Sequence, residues 1–278
     1  MTTNADRHAR FRSLHVPGRP LCLPNAWDVA SARVIEDAGA AAVATTSAGV
    51  AWSLGRPDGD KLDRDRAVDL IARTAAAVAA PVTADIESGY ASTVNDIPDT
   101  IAGVVQAGAV GVNIEDALAG GDTPLRPIDE QAERLAAARA AAAGIPLFVN
   151  ARVDTYLLGV GDPAARFDAT VERAAAYLRS GADGIFVPGV VDLDVVAALV
   201  EAVAAPLNVM AGPGAPTVKE LADVGVARIS LGPGIAMAAY AVAATSAREF
   251  LAQGTYSSLE AGLDFGFLNN LMADRGGE

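Results

Sequence analysis

The chain has 278 residues, of which 51% are hydrophobic and 5% aromatic, with a formal net charge of −13. That length suits one large α/β domain with an ample core, while the acidic balance argues against nucleic acid and anionic membranes and the few aromatics against base stacking. The lone cysteine, Cys22, reads as a buried small hydrophobe rather than a nucleophile; with a polar, basic N-terminus and a longest apolar stretch (Gly234 to Thr245) too short for a bilayer, a soluble cytoplasmic protein is expected.

In chain order, the first dozen residues look like a loose terminus, as do Ala273 to Glu278. A first apolar strand follows Pro20 and ends in Pro24-Asn25-Ala26-Trp27-Asp28. A helix over Val29 to Asp37, stopped near Gly39, leads to a second strand, Ala42 to Thr45, ending in Thr46-Ser47-Ala48-Gly49. A helix over Arg64 to Val78 precedes a third strand after Pro81, which ends in Asp85-Ile86-Glu87-Ser88-Gly89-Tyr90. The fourth strand, after Gly108, ends at Glu115 and Asp116. A helix over Ile128 to Ala142 leads to the fifth, which follows Pro146 and ends at Arg152 with Asp154 beyond. Helices over Pro163 to Arg179 and Thr217 to Val224 accompany the last three strands, which end in Pro188-Gly189, Ala211-Gly212-Pro213-Gly214 and Gly232-Pro233-Gly234.

The rhythm is regular. Strand-opening prolines at 20, 81, 146 and 206 are spaced by 61, 65 and 60 residues, and strands that follow a helix-ending glycine alternate with them. Proline is tolerated at a strand's first residue, and continuous apolar strands read as parallel and covered on both faces. Eight such units predict a (β/α)8 barrel, residues 1–278 forming one domain with additional C-terminal helices over about 236–271. No G-x-G-x-x-G follows the first strand to favour an open doubly wound sheet.

Barrel enzymes place their chemistry at the C-terminal strand ends. Asp85 and Glu87, two apart, are expected on one strand face, with Glu115 and Arg152 ending the next two strands. Clustered, half-buried carboxylates repel one another, and a bound divalent cation would resolve that repulsion. The chain's two histidines, His8 and His15, both precede the first strand, so an all-oxygen site for Mg2+ or Mn2+ is expected rather than zinc or a His-based triad. Asp116 is expected to point away from Glu115. Asp154 either orients Arg152 or sits on a loop, and Tyr90 either handles a proton or is a wall residue. The glycines after the last two strands also suit a phosphate grip, although the neighbouring prolines remove N–H donors that phosphate would use.

In these motifs, together with Ser53-Leu54-Gly55-Arg56-Pro57-Asp58, Val112-Asn113-Ile114-Glu115-Asp116 and Asn150-Ala151-Arg152, the chain resembles the isocitrate lyase/phosphoenolpyruvate mutase superfamily over about Leu21 to Leu271. The resemblance implies Asp85 as direct metal ligand, with Asp58, Glu87 and Glu115 holding the metal's waters and Glu87 standing where most members have Asp. It implies that the Ser47 and Ala48 backbone receives a substrate carboxylate, and that Arg152 faces the distal charge or oxyanion. It further implies a Mg2+-dependent lyase breaking a C–C bond in a small α-keto or α-hydroxy acid, expected to be a di- or tricarboxylate, through an enolpyruvate-like intermediate, with phosphonopyruvate-type P–C chemistry as the alternative. A dimer of dimers exchanging C-terminal helices is the implied assembly. One departure stands out: the lyases' flexible loop carries a catalytic Cys, whereas Asp116 to Arg126 contains no Cys, His or Lys. Glycines 120 and 121 still suit a lid hinge, and Asp122, Thr123 and Arg126 are its polar groups.

Overall fold

The computed structural model describes residues 4–118 and 123–273. Its strands are β1 (Leu21–Leu23), β2 (Asn25–Ala26), β3 (Val43–Thr45), β4 (Val82–Asp85), β5 (Gly111–Glu115), β6 (Phe148–Arg152), β7 (Gly184–Val187), β8 (Leu207–Met210) and β9 (Arg228–Ser230). The helices are α1 (Asn4–Ser13), α2 (Val29–Asp37), α3 (Ser47–Ser53), α4 (Arg64–Ala77), α5 (Ile97–Gln106), α6 (Ile128–Ala141), α7 (Arg166–Arg179), α8 (Leu193–Ala202), α9 (Val218–Asp223), α10 (Gly234–Gln253) and α11 (Phe265–Ala273). All strand pairs are parallel, in the order β1-β9-β8-β7-β6-β5-β4-β3-β2.

The expected eight strands are present, with the first broken in two at Pro24. β1 pairs with β9 (Cys22 beside Ile229), and β2 pairs with β3 (Ala26 beside Thr45), so the chain continuing from β1 into β2 closes the barrel. Proline offers no N–H to a ladder. The Asn25 side chain spans the break: its Oδ1 accepts from Leu231 N–H at 3.0 Å, and its Nδ2 donates to the Thr45 carbonyl at 3.1 Å. Helix boundaries follow their caps. Asp28 closes a capping box on Ser31 at the start of α2, and Asp63 and Asp192 accept the first N–H groups of α4 and α8.

The N-terminus departs from expectation. Residues 4–13 form α1, which lies under the barrel floor with Phe11 and His8 buried. Phe11 meets Phe148 edge-on at 5.7 Å, and His15 stacks on Phe148 at 4.1 Å with an interplanar angle of 15°. Gly111 makes room for this plug, since a Cβ there would lie 2.9 Å from the Phe11 ring.

Cys22 also departs from expectation. It is exposed on the outer face of β1, in a groove of about 600 Å3 lined by Leu21, Ile35, Leu231 and Ile235. The helix after β9 leaves that groove uncovered: of α10's 20 residues only Ala236 is buried, and Met237, Val242, Phe250 and Leu251 face outward. α11 returns to α2, where Arg33 donates to the Leu271 carbonyl. Among the described residues no helix is long and apolar enough to cross a membrane.

Candidate active site

The C-terminal strand ends converge on a cavity of about 170 Å3, lined by Asn25, Thr46, Ser47, Ala48, Asp58, Asp85, Asn113, Arg152, Leu157, Phe186, Met210, Ser230, Gly232 and Pro233. Parallel register brings the charged groups together. Glu115 on β5 stands beside Arg152 on β6, and Arg152 Nη1 donates to Glu115 at 2.7 Å while facing Asp85 at 3.9 Å. Asp154 resolves in favour of orienting the arginine, accepting from Arg152 Nε at 2.7 Å. Asp116 turns away from the cavity, as expected, and is fully buried. Its carboxylate accepts from Asp154 N–H at 2.9 Å, Tyr177 Oη at 2.8 Å and Arg173 Nη1 at 3.0 Å. Asp116 therefore holds the turn that holds Asp154, which in turn holds Arg152.

Asp85 ends β4 and receives a second set of contacts from inside the barrel. Its backbone N–H donates to Thr45 Oγ1 at 3.0 Å, and its carboxylate accepts from the Glu87 N–H and from the Asn113 side chain. Asn113 Oδ1 accepts from Asn150 Nδ2 at 2.9 Å and Arg228 Nη2 at 3.2 Å, which leaves its amide nitrogen for Asp85. Sequence reading assigned no role to this inner layer of Asn113, Asn150, Asn208 and Arg228. Its signal was polar side chains recurring inside otherwise apolar parallel strands.

Glu87 does not share a strand face with Asp85, contrary to the two-residue alternation expected from sequence. β4 stops at Asp85, and Glu87 and Tyr90 adopt left-handed backbone at φ 51° and 47°. The Glu87 carboxylate is buried and accepts from the Asp60 N–H, while its Oε1 has no partner. Tyr90 lines a separate cavity with Lys61, Arg64 and Arg126, so it is a wall residue with respect to Asp85. Of the proposed lid groups, Asp122 lies outside the described residues. Thr123 bonds the Leu125 carbonyl, and Arg126 pairs with Glu130 at 2.8 Å.

Ser47 and Ala48 open α3, whose N-cap Thr46 makes no side-chain cap. The first N–H groups of a helix have no intrahelical acceptor, and these two residues line the cavity. Gly49 permits the close approach: a Cβ there would fall 2.7 Å from Trp27 Cβ.

The electrostatics are unbalanced. Burial raises Asp85, with Arg152 opposing and Asp58 adding to the rise. Burial also raises Glu115 well above the usual carboxylate range, again against Arg152, and pushes Glu87 up to about 7. Arg152 itself is held charged: burial works against it, but Glu115, Asp154 and Asp85 outweigh that and raise it. Carboxyls thus outnumber the cations able to offset them. Among the described residues no three or more acidic, His or Cys side chains converge closely enough to hold a metal by themselves. The donor set nevertheless fits a hard divalent cation with Asp85 as one protein ligand and the other acids reached through water, because it is all oxygen and in excess and includes the buried, unpartnered Glu87 Oε1.

A parallel eight-stave barrel with a carboxylate-rich mouth defines a class of enzymes acting on small molecules at their strand ends. The profile of the phosphoenolpyruvate phosphomutase family matches residues 11–251, and the chain belongs to that family. It is 39% identical over 268 residues to the uncharacterised protein Rv1998c of Mycobacterium tuberculosis, covering 91% of this chain and 95% of that one. It is 28% identical over 252 residues to an oxaloacetate decarboxylase of Pseudomonas fluorescens, covering 87% and 80%. Among solved structures, a Burkholderia cenocepacia J2315 protein provisionally described as a phosphonomutase superposes with a TM-score of 0.84 at 43% identity, covering 91% of this chain and all of that one. A phosphonopyruvate hydrolase solved with oxalate and Mg2+ shares the fold, with a TM-score of 0.84 at 24% identity over 96% and 95% of the two chains. Lyases and mutases make up this family, and the chain is an enzyme of it.

Proposed function

We propose that the protein is a Mg2+-dependent (or Mn2+-dependent) lyase that breaks a C–C bond in a small α-keto or α-hydroxy acid through an enolpyruvate-like intermediate. The observation that carries this reading is the Asp85–Arg152–Glu115 constellation at the mouth, where buried carboxylates exceed their cations. Asp85 would hold the metal, with Asp58, Glu87 and Glu115 fixing its waters. The cation supplies Lewis-acid polarisation of a carboxylate and its neighbouring oxygen when bound.

The chain's own groups do the rest. The Ser47 and Ala48 N–H groups receive the substrate carboxylate and set its plane. Arg152, held from behind by Asp154 and Asp116, keeps its charge aimed at the oxygen where negative charge develops. Asn25 and Ser230 wall the site on the closing stave. Decarboxylation and retro-aldol cleavage both fit a loop that lacks Cys, His and Lys. Phosphonopyruvate-type P–C cleavage is the second reading, favoured by the likeness to the oxalate- and Mg2+-bound phosphonopyruvate hydrolase.

A cytoplasmic homotetramer, a dimer of dimers acting on a small carboxylate without nucleic acid or membrane partners, belongs to the same proposal. Its support is α10, which carries outward-facing Met237, Val242 and Leu251 past an apolar groove on β1 that a second copy's helix would fill.

Calorimetric titration of oxalate, a planar stand-in for the enolpyruvate carboxylate and oxygen, tests the site. Binding only with Mg2+ present is expected. Equal binding with and without the metal, or none in either condition, sinks the metal–oxyacid reading.

A further inference from the structure

The cavity has two unlike walls. Ser47 and Ala48 follow β3, and Asp85 ends β4. Four staves round the barrel, and so directly opposite, β7 presents Phe186, β8 presents Met210, and the loop after β6 adds Leu157. Among the described residues that line this cavity, Arg152 is the one cation. Its guanidinium already serves Glu115 at 2.7 Å and Asp154 at 2.7 Å, with the Phe186 ring 5.9 Å away. The basic groups Lys61, Arg64 and Arg126 line a different cavity that shares no residue with this one. In sequence, 119–122 reads Ala-Gly-Gly-Asp and carries no cation either.

We propose that the substrate is a short 4-hydroxy-2-oxo monocarboxylate whose far end is an alkyl group, housed between Leu157, Phe186 and Met210, and not a di- or tricarboxylate. The inference rests on the reading of Asp85 and the Ser47–Ala48 backbone as the end that holds the oxyacid. A second carboxylate would have to shed its water against apolar side chains, beside a cluster already rich in carboxylates and with no free cation to meet it. An alkyl tail meets no such obstacle and removes apolar surface from water. The volume sets a limit: about 170 Å3 is small beside the roughly 300–1,000 Å3 of sites for drug-sized ligands, so the tail is a few carbons long.

The corresponding step is a retro-aldol cleavage. The C3–C4 bond breaks and its electron pair forms the C2=C3 enolate. The C4 hydroxyl passes its proton to Asp58, which lines the cavity, and C4 becomes an aldehyde carbonyl carrying the alkyl group. Return of that proton to C3 gives pyruvate, so atoms and charge balance without a further reactant.

The test is calorimetry on the Mg2+-loaded protein, with oxalate first and then unreactive 2-oxo acids. Each methylene from pyruvate through 2-oxobutyrate to 2-oxopentanoate should tighten binding about three- to fourfold. 2-Oxoglutarate, of the same carbon count as 2-oxopentanoate, should bind at least about tenfold more weakly than it. Met210→Lys should reverse that preference by placing a cation on the apolar wall. If oxalate binds while 2-oxoglutarate matches or exceeds 2-oxopentanoate, the alkyl inference is overturned and the metal–oxyacid reading stands. If oxalate does not bind, the underlying reading fails and takes this inference with it.

Discussion

The two ends of the barrel handle buried charge in opposite ways. At the floor, Arg228 is sealed under Phe11 and His15, with burial lowering it to about 9. Its Nη2 reaches up to a neutral amide, Asn113, which lines the mouth cavity and also accepts from Asn150. At the mouth, Asp85, Glu115 and Asp154 crowd one arginine, and burial raises each of these acids. At the floor the unmet charge is a cation's, since Arg228 Nε and Nη1 are buried without a partner, whereas the carboxylate surplus at the mouth can be relieved by a proton or a bound cation. The floor thus closes one cation over with aromatic rings, and the mouth holds a carboxylate excess that a bound cation would relieve. The same asymmetry recurs across the mouth, between the charged ends of β4–β6 and the apolar ends of β7 and β8.

The largest effect that could break this comparison is Asp85→Ala. It should cut turnover by about a thousandfold, on the scale of losing a group that stabilises developing charge, and abolish Mg2+-dependent oxalate binding. Because it also removes a strained carboxylate, the melting temperature should stay level or rise. A lower melting temperature with turnover intact would place Asp85 in the structural class and remove the contrast.

Phe11→Ala sharpens the other side. The ring is fully buried against Gly111 and Phe148, so chemical denaturation should show a loss of about 3–5 kcal/mol. Oxalate affinity in the folded fraction should remain near wild type.

The smallest effect concerns pH. Burial, with Arg228 adding, lowers the His15 pKa to about 3, so the ring is neutral in the native state. The unfolded chain takes up the proton below about 6.5 while the native chain does not. Its contribution to stability is therefore full above pH 6.5 and is lost as the pH falls toward 3, at up to about 1.4 kcal/mol per pH unit. Because Glu87, raised to about 7, contributes with the opposite sign in this window, the His15 share is read as the difference between wild type and His15→Phe, which keeps the stack on Phe148: denaturation series at pH 7 and pH 5 should show the variant losing less stability, or gaining more, on acidification than wild type. Identical pH dependences of wild type and variant would mean that His15 does not contribute.

Much of the barrel was legible because its signals are local. Proline and glycine punctuation located the eight units, and the helical stretches between them match α2 at Val29–Asp37 and α4 to within a residue. Asp85, Glu115 and Arg152 were legible as strand-end residues because a parallel barrel places all such ends on one rim. The departures arose where a neighbour distant in sequence sets the outcome. α1 looked like a loose polar end because its apolar contribution is largely Phe11, which finds its place only against Gly111 and Phe148. Cys22 looked buried because a lone cysteine in an apolar run is commonly a buried small hydrophobe, whereas it lies exposed on the outer face of β1, in a groove lined also by other elements. Glu87 looked like Asp85's strand partner until the chain turned left-handed after β4.

What the sequence by itself determined was the class of fold, the rim on which the chemistry sits and the all-oxygen character of the donors, since these follow from residue type and spacing along one segment. Tertiary structure alone decided three things. Asp154 and Asp116 fix the arginine, a polar layer of three amides and Arg228 on four strands orients Asp85 from within, and Phe186 and Met210 close the cavity opposite the carboxylates. Each depends on which strand lies beside or across from which, a relation set by the packing of the whole barrel and absent from any one stretch of chain.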